Sequence, residues 1–560
     1  MVNRKKADLI ELAVSIALIL LLNFLGSLFF TRFDFTAEKR YTLSDVTKGI
    51  LGSLDEKVQV TIYLEGEFPA GFKRLRNSTR DLLMDFEAYS DDKLQFNFVN
   101  PMSGDQQAQE HAYQQLLEKG LEPTNLSVKT EDGMSQKIIF PAALITYKGM
   151  QIPVKLLQNR AGTSPEEVLN NSIQNLEYAF ASAVKKLITG GSVRVGFSEG
   201  HGELTDLQLS DAIKSLGDTY EVGRVNLQTI PFAGLDKLRL LIIAKPDQAF
   251  TEAEKYKIDY FLMKGGRIIW SLDQVNADLD SLRGASEQLA FPKKLNIDDM
   301  LFKYGIRMNY DLVADMNCAQ IPLNVGDLAG QSQIQMLPWL FYPIYVPVSA
   351  HPLVKNLDGI RSEFPGSIDI IELKNVRSEV LLASSPFSRK METPAMLSLN
   401  MVEKEPDPEQ FKGSPKPFAV LLEGEFPSNF KNRPVPEGIS EKVSIPEKSR
   451  NGKMIAIADG DVLKNQINAQ DGSPYPLGFD RYTREQYANK SLLLNAADYL
   501  TDDSGIISLR NKEIKLRLLD RAKIRQEKTF WQLINIGLPL LVLIVCGIFQ
   551  HYYRIRKYTR

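Results

Sequence analysis

Two long apolar runs, one near each end of the chain, dominate its hydropathy pattern. Residues 12–30 carry no charged side chain, and residues 530–549 are mostly apolar with Pro539 near their middle. A helix rises about 1.5 Å per residue, so a run of about 20 residues spans roughly the 30 Å hydrocarbon core of a bilayer. Both runs are therefore predicted to be transmembrane helices.

The charges beside these runs predict their orientation. Arg4, Lys5 and Lys6 precede the first run, and a basic tail, residues 550–560, follows the second. Lys and Arg are enriched on the cytoplasmic side, so 1–11 and 550–560 are expected there and the long middle segment on the other side. The first run lacks an Ala-x-Ala cleavage site and exceeds the usual apolar core of a signal peptide. This favours an uncleaved anchor over a removed leader.

Between the anchors, strand and helix patterns alternate. In residues 31–189 the predicted order is β-α-β-α-β-β-α, and the last helix begins at Ser164-Pro165-Glu166-Glu167 with a cap, a first-turn proline and two acids. This is the order of thioredoxin-like folds. The chain has no Cys-x-x-Cys motif, so a packing or docking domain is expected rather than a redox enzyme.

Residues 190–510 are predicted to form a larger α/β domain. Strand patterns at 193–197, 220–227, 238–244 and 267–271 alternate with helical patterns at 207–216 and 252–263, which predicts a mainly parallel sheet. The proline-containing stretch 275–375 is expected to be less regular, and 511–529 is predicted to be a juxtamembrane helix. The hexapeptide at 64–69 recurs at 422–427, which is too short to indicate a duplicated domain.

Composition and the absence of certain motifs argue against several classes of function. The 67 Lys and Arg residues nearly balance 69 Asp and Glu residues, which argues against a dedicated nucleic-acid surface. Two cysteines and four histidines exclude a zinc framework and disfavour a His-rich metal site. The sequence contains no Walker A motif and no G-x-G-x-x-G after a strand, so any ATP must be bound by a partner. We expect no cofactor on this chain.

Acidic residues follow two of the predicted strands. Glu199-Gly200-His201-Gly202-Glu203 follows the first strand of the larger domain, and Asp459-Gly460-Asp461 ends another. The carboxyl ends of parallel strands form the ligand crevice of such sheets. A histidine between carboxylates could hold a metal or transfer protons. Alternatively, the glycines permit a tight turn while His201 and the acids cap the next helix. Since the turn has no Ser or Cys nucleophile, Glu199, His201, Glu203, Asp459 and Asp461 are predicted ligand or partner contacts, with no catalytic residue.

Several landmarks together resemble a known family, the auxiliary (GldG) subunits of gliding-motility ABC transporters of Bacteroidetes. The matching stretches cover nearly the whole chain, including both anchors; they are 32–36, 39–44, 196–203, 265–267, 458–461 and 507–512. The resemblance implies a non-enzymatic subunit of the bacterial inner membrane, with both termini cytoplasmic and its bulk periplasmic. It also implies a glutamine-amidotransferase-like (flavodoxin-like) second domain that lacks the catalytic cysteine, since Cys318 follows no recognisable strand-to-helix elbow.

The resemblance also implies partners. These are an ABC permease subunit, a cytoplasmic ABC ATPase that carries the ATP and Mg, and components of gliding or protein secretion in the envelope, with contacts to membrane lipid and none to nucleic acid. Two other hypotheses remain. One is a membrane-anchored hydrolase that uses the acidic residues and His201, and the other is a purely structural envelope tether.

Overall fold

The chain forms two compact units, Met1–Lys512 and Glu513–Arg560. The computed structural model describes residues 10–21, 23, 42–121, 123–130, 133–157, 164–189, 193–285, 287–328, 331–355, 357–402, 406–511 and 521–558. The first unit is a mixed α/β structure with several sheets, as the sequence predicts at the level of fold class.

The first half of this unit is built on a four-stranded sheet. Its elements are α1 (Ile10–Leu21), α2 (Asp45–Gly52), β1 (Val58–Ile62), α3 (Ala70–Tyr89), β2 (Leu94–Phe98), α4 (Gln106–Glu118), β3 (Thr124–Thr130), β4 (Gly133–Ile139), β5 (Ala142–Tyr147), β6 (Met150–Lys155) and α5 (Pro165–Thr189). The sheet order is β2-β1-β5-β6, with β1 and β2 parallel and the other pairs antiparallel. The β3–β4 pair is a separate hairpin that the sequence analysis did not resolve.

Helix α5 begins where the sequence predicts. The Ser164 hydroxyl accepts the Glu167 amide at 3.3 Å, and the Glu167 carboxylate accepts the Ser164 amide at 3.0 Å. This reciprocal pair is a capping box, which satisfies amides that the first helical turn leaves free. The helix buries Phe180 against Phe86 of α3, and Ile506 and Leu509 from far along the chain complete the same core.

A ten-stranded mixed sheet is the largest sheet in the rest of the unit, where the described residues also form one three-stranded and two two-stranded sheets. Its helices are α6 (Ser210–Gly217), α7 (Phe232–Leu235), α8 (Glu252–Met263), α9 (Leu279–Ala285), α10 (Asp298–Tyr304) and α11 (Asn489–Thr501). Its strands and the short strands beside it are β7 (Arg194–Glu199), β8 (Glu221–Asn226), β9 (Leu240–Ala244), β10 (Arg267–Ser271), β11 (Val275–Asn276), β12 (Glu287–Pro292), β13 (Ile306–Met308), β14 (Asp311–Asp315), β15 (Cys318–Leu328), β16 (Gln331–Pro347), β17 (Ile360–Arg361), β18 (Ile368–Ile370), β19 (Val376–Ala383), β20 (Ser388–Glu392), β21 (Ala395–Ser398), β22 (Pro417–Gly424) and β23 (Gly452–Ile457).

The centre of this sheet is parallel, which confirms the prediction for this region. The order is β15-β16-β19-β22-β23-β10-β9-β7-β8, with β17 pairing to β16, and the strands from β23 to β8 are parallel. Every residue of β9 and β10 is buried, and α8 and α11 pack against this part of the sheet. Strands covered on both faces carry continuous apolar runs rather than alternating patterns.

The stretch 275–375 is more regular than the sequence predicts. It contains the 17-residue strand β16, in which Pro338, Pro343 and Pro347 all lie. On one side β16 pairs with β15 through register shifts. On its other side the ladder pairings run over residues 344–347, and the carbonyls of Phe341 and Pro343 accept the amides of Phe364 and Ser362. Proline lacks the amide donor but keeps its carbonyl acceptor, so Pro343 still accepts the Ser362 amide beside the strand.

The repeated hexapeptide has a common backbone conformation. Gly66 and Gly424 have φ angles of 137° and 143°, a region that essentially only glycine adopts. Their surroundings differ. A Cβ on Gly66 would find its nearest neighbours at 3.7 Å, whereas a Cβ on Gly424 would overlap the carbonyl oxygen of Asn375.

This difference gives a matched pair of substitutions. Both Gly66→Ala and Gly424→Ala should destabilise the protein through backbone strain, and Gly424→Ala should cost about 2 kcal/mol more because it also clashes with backbone. Denaturant unfolding of the full chain in mild detergent, followed by tryptophan fluorescence, measures both. Equal destabilisation by the two substitutions would contradict the steric account.

The second unit contains one long helix, α12 (Arg521–Tyr558), which includes Pro539. Its segment Glu527–Lys557 has 31 residues, and the most apolar 18-residue stretch within it has a mean hydropathy of 2.3 and is wholly unburied. It is long and apolar enough to cross a membrane, and it covers the predicted span 530–549. Of the predicted first span, the structure describes the apolar helix α1 and residue 23; the remainder of 12–30 lies outside the described residues, as do 512–520 of the predicted juxtamembrane helix.

Candidate functional site

The carboxyl ends of four central strands carry the charged residues of the candidate site. Because β7, β9, β10 and β23 are parallel, these ends lie along one edge of the sheet. Glu199–Glu203 end and follow β7, Lys245 follows β9, Asp273 follows β10, and Asp459–Asp461 follow β23. The structure places all of these charged residues except Glu199 in two separate ion-pair clusters.

The first cluster is centred on His201, whose ring is buried. Its Nε2 lies 3.1 Å from a Glu254 carboxylate oxygen, and its Nδ1 lies 3.6 Å from a Glu203 oxygen. The ring stacks on Phe250, with centroids 4.1 Å apart. Glu254 is also the third residue of α8, where it forms a capping box with Thr251. His201 therefore ties the turn after β7 to the start of α8.

The ionisation of this cluster follows from its geometry. Burial alone would lower the pKa of His201, but the carboxylates of Glu203 and Glu254 outweigh it and raise that pKa. Burial alone would raise the pKa values of Glu203 and Glu254, but their hydrogen bonds and His201 outweigh it and lower both. Both ring nitrogens face carboxylates, which is the arrangement of a structural ion pair. The tight turn of the alternative drawn from the sequence is present, with Gly200 and Gly202 at positive φ. Its capping is not, because the next helix, α6, has no side-chain cap and Thr251 and Glu254 cap α8 instead.

Glu199 does not join the histidine. Its carboxylate lies 3.5 Å from Nε of Arg224, which also pairs with Asp206 at 3.4 Å. The Glu199 side chain is 43% exposed, so this pairing is a surface contact.

The second cluster contains Asp459 and Asp461 and recruits Asp273. One oxygen from each of the three carboxylates can lie within 4.8 Å of the others, a spacing that a metal ion could bridge. Instead, the ammonium of Lys245 pairs with Asp461 and lies 3.2 Å from Asp273, and Lys464 lies 3.1 Å from Asp461. Because an ammonium group already sits among these oxygens, the donor set is neutralised without a metal.

Backbone amides fix the remaining oxygens of this cluster. Asp459 accepts the amides of Glu363 and Asp461 at 2.8 and 2.6 Å, and Asp273 accepts the amide of Gly460 at 2.6 Å. A Cβ on Gly460 would overlap the side chain of Lys245. Glycine at this position therefore lets the loop after β23 close onto the loop after β9.

Charge balance sets the ionisation of the three partners. Burial raises the pKa of Asp459, and the neighbouring carboxylates of Asp461 and Asp273 raise it further. Burial would also raise the pKa of Asp461, but Lys245 and Lys464 outweigh it and hold that pKa well below its usual range. Burial would lower the pKa of Lys245, yet Asp273 and Asp461 raise it well above normal. The cluster is a buried salt-bridge network.

A cavity of about 370 Å³ adjoins this network, sharing Lys464 with it. Arg283, Arg361 and Arg481 also line it, together with Tyr342 and Tyr482. Amide side chains from Gln208, Asn465 and Gln466 and the carboxyl groups of Asp278, Asp280 and Glu363 complete most of the polar lining. The cavity therefore combines cations, hydrogen-bond donors and aromatic rings at one place in the fold.

The sequence analysis missed Lys245, Asp273 and the arginines of the cavity. Lys245 and Asp273 could have been found, because each comes at or just after the end of a buried strand, as Asp459 does. Arg283, Arg361 and Arg481 are far apart in sequence, so no local pattern indicates that they line one cavity. Of the predicted contacts, Glu203 and His201 lie together, as do Asp459 and Asp461.

Fold and site together define a mixed α/β protein whose parallel strands end in buried ion pairs, followed by a long apolar helix. Residues 192–496 match a family model described as an ABC-type uncharacterized transport system, the ABC transporter auxiliary family. This match covers more than half of the chain, so the chain belongs to that family. Residues 37–146 match a domain of unknown function, DUF7088.

One curated relative extends over nearly the full length. An uncharacterized protein of Borreliella burgdorferi is 22% identical over 556 residues, covering 97% of this chain and 95% of its own. The resemblance is thus not confined to one domain.

Similar solved structures are more distant. The mmIFT52 N-terminal domain is 14% identical, with a TM-score of 0.32, and covers 55% of this chain and 97% of its own. A ThuA-like protein from Bacteroides uniformis is also 14% identical, with a TM-score of 0.27, and covers 57% and 95%. No conclusion about this chain rests on these two likenesses.

Proposed function

We propose that this protein is a non-enzymatic, membrane-anchored auxiliary subunit of an ABC transporter, which binds a ligand or partner outside the cytoplasm. The observation that carries the proposal is the family match over residues 192–496. The ion-pair clusters agree with it, since His201 and the aspartates hold neighbouring loops together through paired charges. ATP and Mg belong to the partner ATPase, and this chain needs no cofactor.

The two α/β regions serve as binding or docking modules in this proposal. The order β2-β1-β5-β6, with β5 antiparallel to β1 and a helix after β6, supports a thioredoxin-like assignment for the first. The parallel strands β8, β7, β9, β10 and β23 support a glutamine-amidotransferase-like assignment for the second. The domain boundaries at 31–189 and 190–510 remain predictions.

The proposed topology has two spans, with both termini in the cytoplasm of a bacterium and the region between them in the periplasm. Helix α12 supports the second span by its length and hydropathy. The basic residues that follow the apolar stretch 530–549 support the orientation of that span. The first span, 12–30, is proposed from sequence.

A cysteine placed at Thr559 tests this topology. In intact spheroplasts of a Cys318→Ala, Cys546→Ala background, Thr559→Cys should resist a membrane-impermeant maleimide until the membrane is permeabilised. Ser473→Cys, on an exposed loop of the first unit, is the matched control and should react at once. Immediate labelling at position 559 would contradict the two-span arrangement.

Copurification tests the assembly itself. The tagged full chain, extracted in mild detergent, should bring down a permease and an ABC ATPase identifiable by mass spectrometry. We further propose that the complex acts in gliding motility and associated protein secretion, which loss of the gene should impair. Recovery of envelope proteins without permease or ATPase would favour a structural tether. A hydrolytic turnover lost in a folded His201→Ala variant would favour a hydrolase.

A further inference from the structure

We propose that the cavity beside Lys464 is a binding site for an oxyanion, a carboxylate or phosphate group on a polar ligand, centred on Arg283, Arg481 and Tyr482. The proposal names a ligand class for the binding role proposed above and rests on it for its biological meaning. Its physical basis is independent, because it comes from the charges and hydrogen bonds of the cavity wall.

The cations of the cavity differ in how well they are neutralised. Lys464 pairs with Asp461 at 3.1 Å, and Arg361 pairs with Glu363 at 2.6 Å and with Asp480 at 3.7 Å. These two side chains are therefore occupied by acids of the protein.

Arg283 and Arg481 are not neutralised in this way. The only carboxylate within ion-pair distance of Arg283 in the described chain is Asp280, at 3.9 Å and 89% exposed. Arg481 bonds to the Ile467 carbonyl at 3.1 Å and has no carboxylate partner among the residues described. Uncompensated positive charge is thus concentrated at one end of the cavity.

Tyr482 holds these two arginines together. Both guanidinium groups donate to its phenolic oxygen, at 2.9 Å from Arg283 and 2.6 Å from Arg481, and both lie over its ring, at 5.4 and 4.7 Å from the centroid. A phenol that accepts two hydrogen bonds keeps its own hydrogen as a donor. The trio therefore presents two charged donors and one neutral donor from neighbouring positions.

Two amide side chains of the wall also favour a hydrogen-bond acceptor, while the carboxylates of Asp278 and Glu363 in the same wall are engaged by Ser281 and Arg361. The side-chain oxygen of Gln208 accepts the backbone amide of Thr205, and that of Gln466 accepts the backbone amide of Arg481. The side-chain nitrogens of both glutamines have no partner in the described part of the chain. Planar guanidinium groups with additional donors are the usual means of recognising carboxylate and phosphate. A volume of about 370 Å³ fits a small polar ligand.

Calorimetric titration of the full chain in mild detergent, at constant ionic strength set with chloride, tests the site. Inorganic phosphate and acetate are the two probes, and the stronger binder identifies which oxyanion is preferred. At least one should bind saturably to the wild type. Arg283→Gln and Arg481→Gln should each weaken that binding about tenfold, since each removes a charge-assisted hydrogen bond.

Arg450→Gln is the matched control, because it removes an exposed arginine elsewhere and should leave the affinity unchanged. Arg481→Lys keeps the charge and guards against a packing defect; its affinity should lie between those of the wild type and Arg481→Gln. No saturable binding of either probe, or equal loss in Arg450→Gln, would overturn the site. That outcome would leave the copurification test with permease and ATPase unaffected, so failure of the oxyanion site can be distinguished from failure of the proposed function.

Discussion

Replacing Lys245 with methionine is expected to lower the free energy of unfolding by about 3–5 kcal/mol, because it leaves buried carboxylates without their counter-charge. The Lys245 side chain is 20% exposed, and its partners Asp273 and Asp461 are 7% and 6% exposed. Methionine keeps most of the aliphatic volume, so the loss reports charge rather than packing. Denaturant unfolding of the full chain, followed by the fluorescence of buried Trp270 and Trp339, measures it.

An exposed ion pair supplies the control. Lys431 pairs with Glu447 at 2.7 Å, with the two side chains 41% and 70% exposed. Solvent screens such a pair, so Lys431→Met should cost less than about 1 kcal/mol. Adding Asp273→Asn to Lys245→Met should recover part of the larger loss, because it removes a buried carboxylate whose remaining cation, Lys293, is 3.9 Å away. A small effect of Lys245→Met, equal to that of Lys431→Met, would refute the buried network.

The pH dependence of this network has a defined sign. The pKa of Asp461 is lowered from 3.8, so its contribution is present above that value and is lost as pH falls toward the folded-state pKa. The pKa of Lys245 is raised from 10.5, so its contribution is present below that value and is lost as pH rises further. Lys245→Met should therefore show its full effect throughout the neutral range.

The sequence predicts the parts of this fold that local patterns determine. The continuous apolar runs of β9 and β10 and the capped helices α5 and α8 lie where the patterns place them, since burial and capping act over a few residues. The sequence analysis missed strand β16 because proline is generally unfavourable in a strand. Whether a strand tolerates a proline depends on the backbone groups that face that proline in the folded sheet. That information is topological, and the sequence does not contain it locally.

The candidate site shows the same division. The rule that ligands gather at the carboxyl ends of parallel strands pointed to Glu199–Glu203 and Asp459–Asp461, and both lie at that edge. The sequence could not show that Lys245 neutralises the aspartates or that Glu254 on α8 reaches His201, because these partners come from other strands and helices. Nor could it bring Arg283 beside Arg481, since long-range packing alone places them together.

His201 should contribute most to stability in mildly acidic solution. Its folded-state pKa is raised above 6.5, so its contribution is fully present below that value and is lost as pH rises through the folded-state pKa. The pKa values of Glu203 and Glu254 are lowered from 4.5, so their contribution is present above 4.5 and is lost as pH falls. The cluster is therefore expected to be strongest between about pH 4.5 and 6.5.

His201→Gln tests this expectation, because glutamine can donate hydrogen bonds but does not titrate. At pH 5.5 the substitution should cost about 2–4 kcal/mol, from the unpaired carboxylates and the lost stacking on Phe250. The difference in unfolding free energy from the wild type should shrink as pH rises from 6 to 9. His351→Gln is the matched control: burial lowers the pKa of His351, so its difference should not shrink over the same range. A pH-independent loss at position 201 would mean that the ring acts through packing alone, and the ion-pair account of this turn would have to be abandoned.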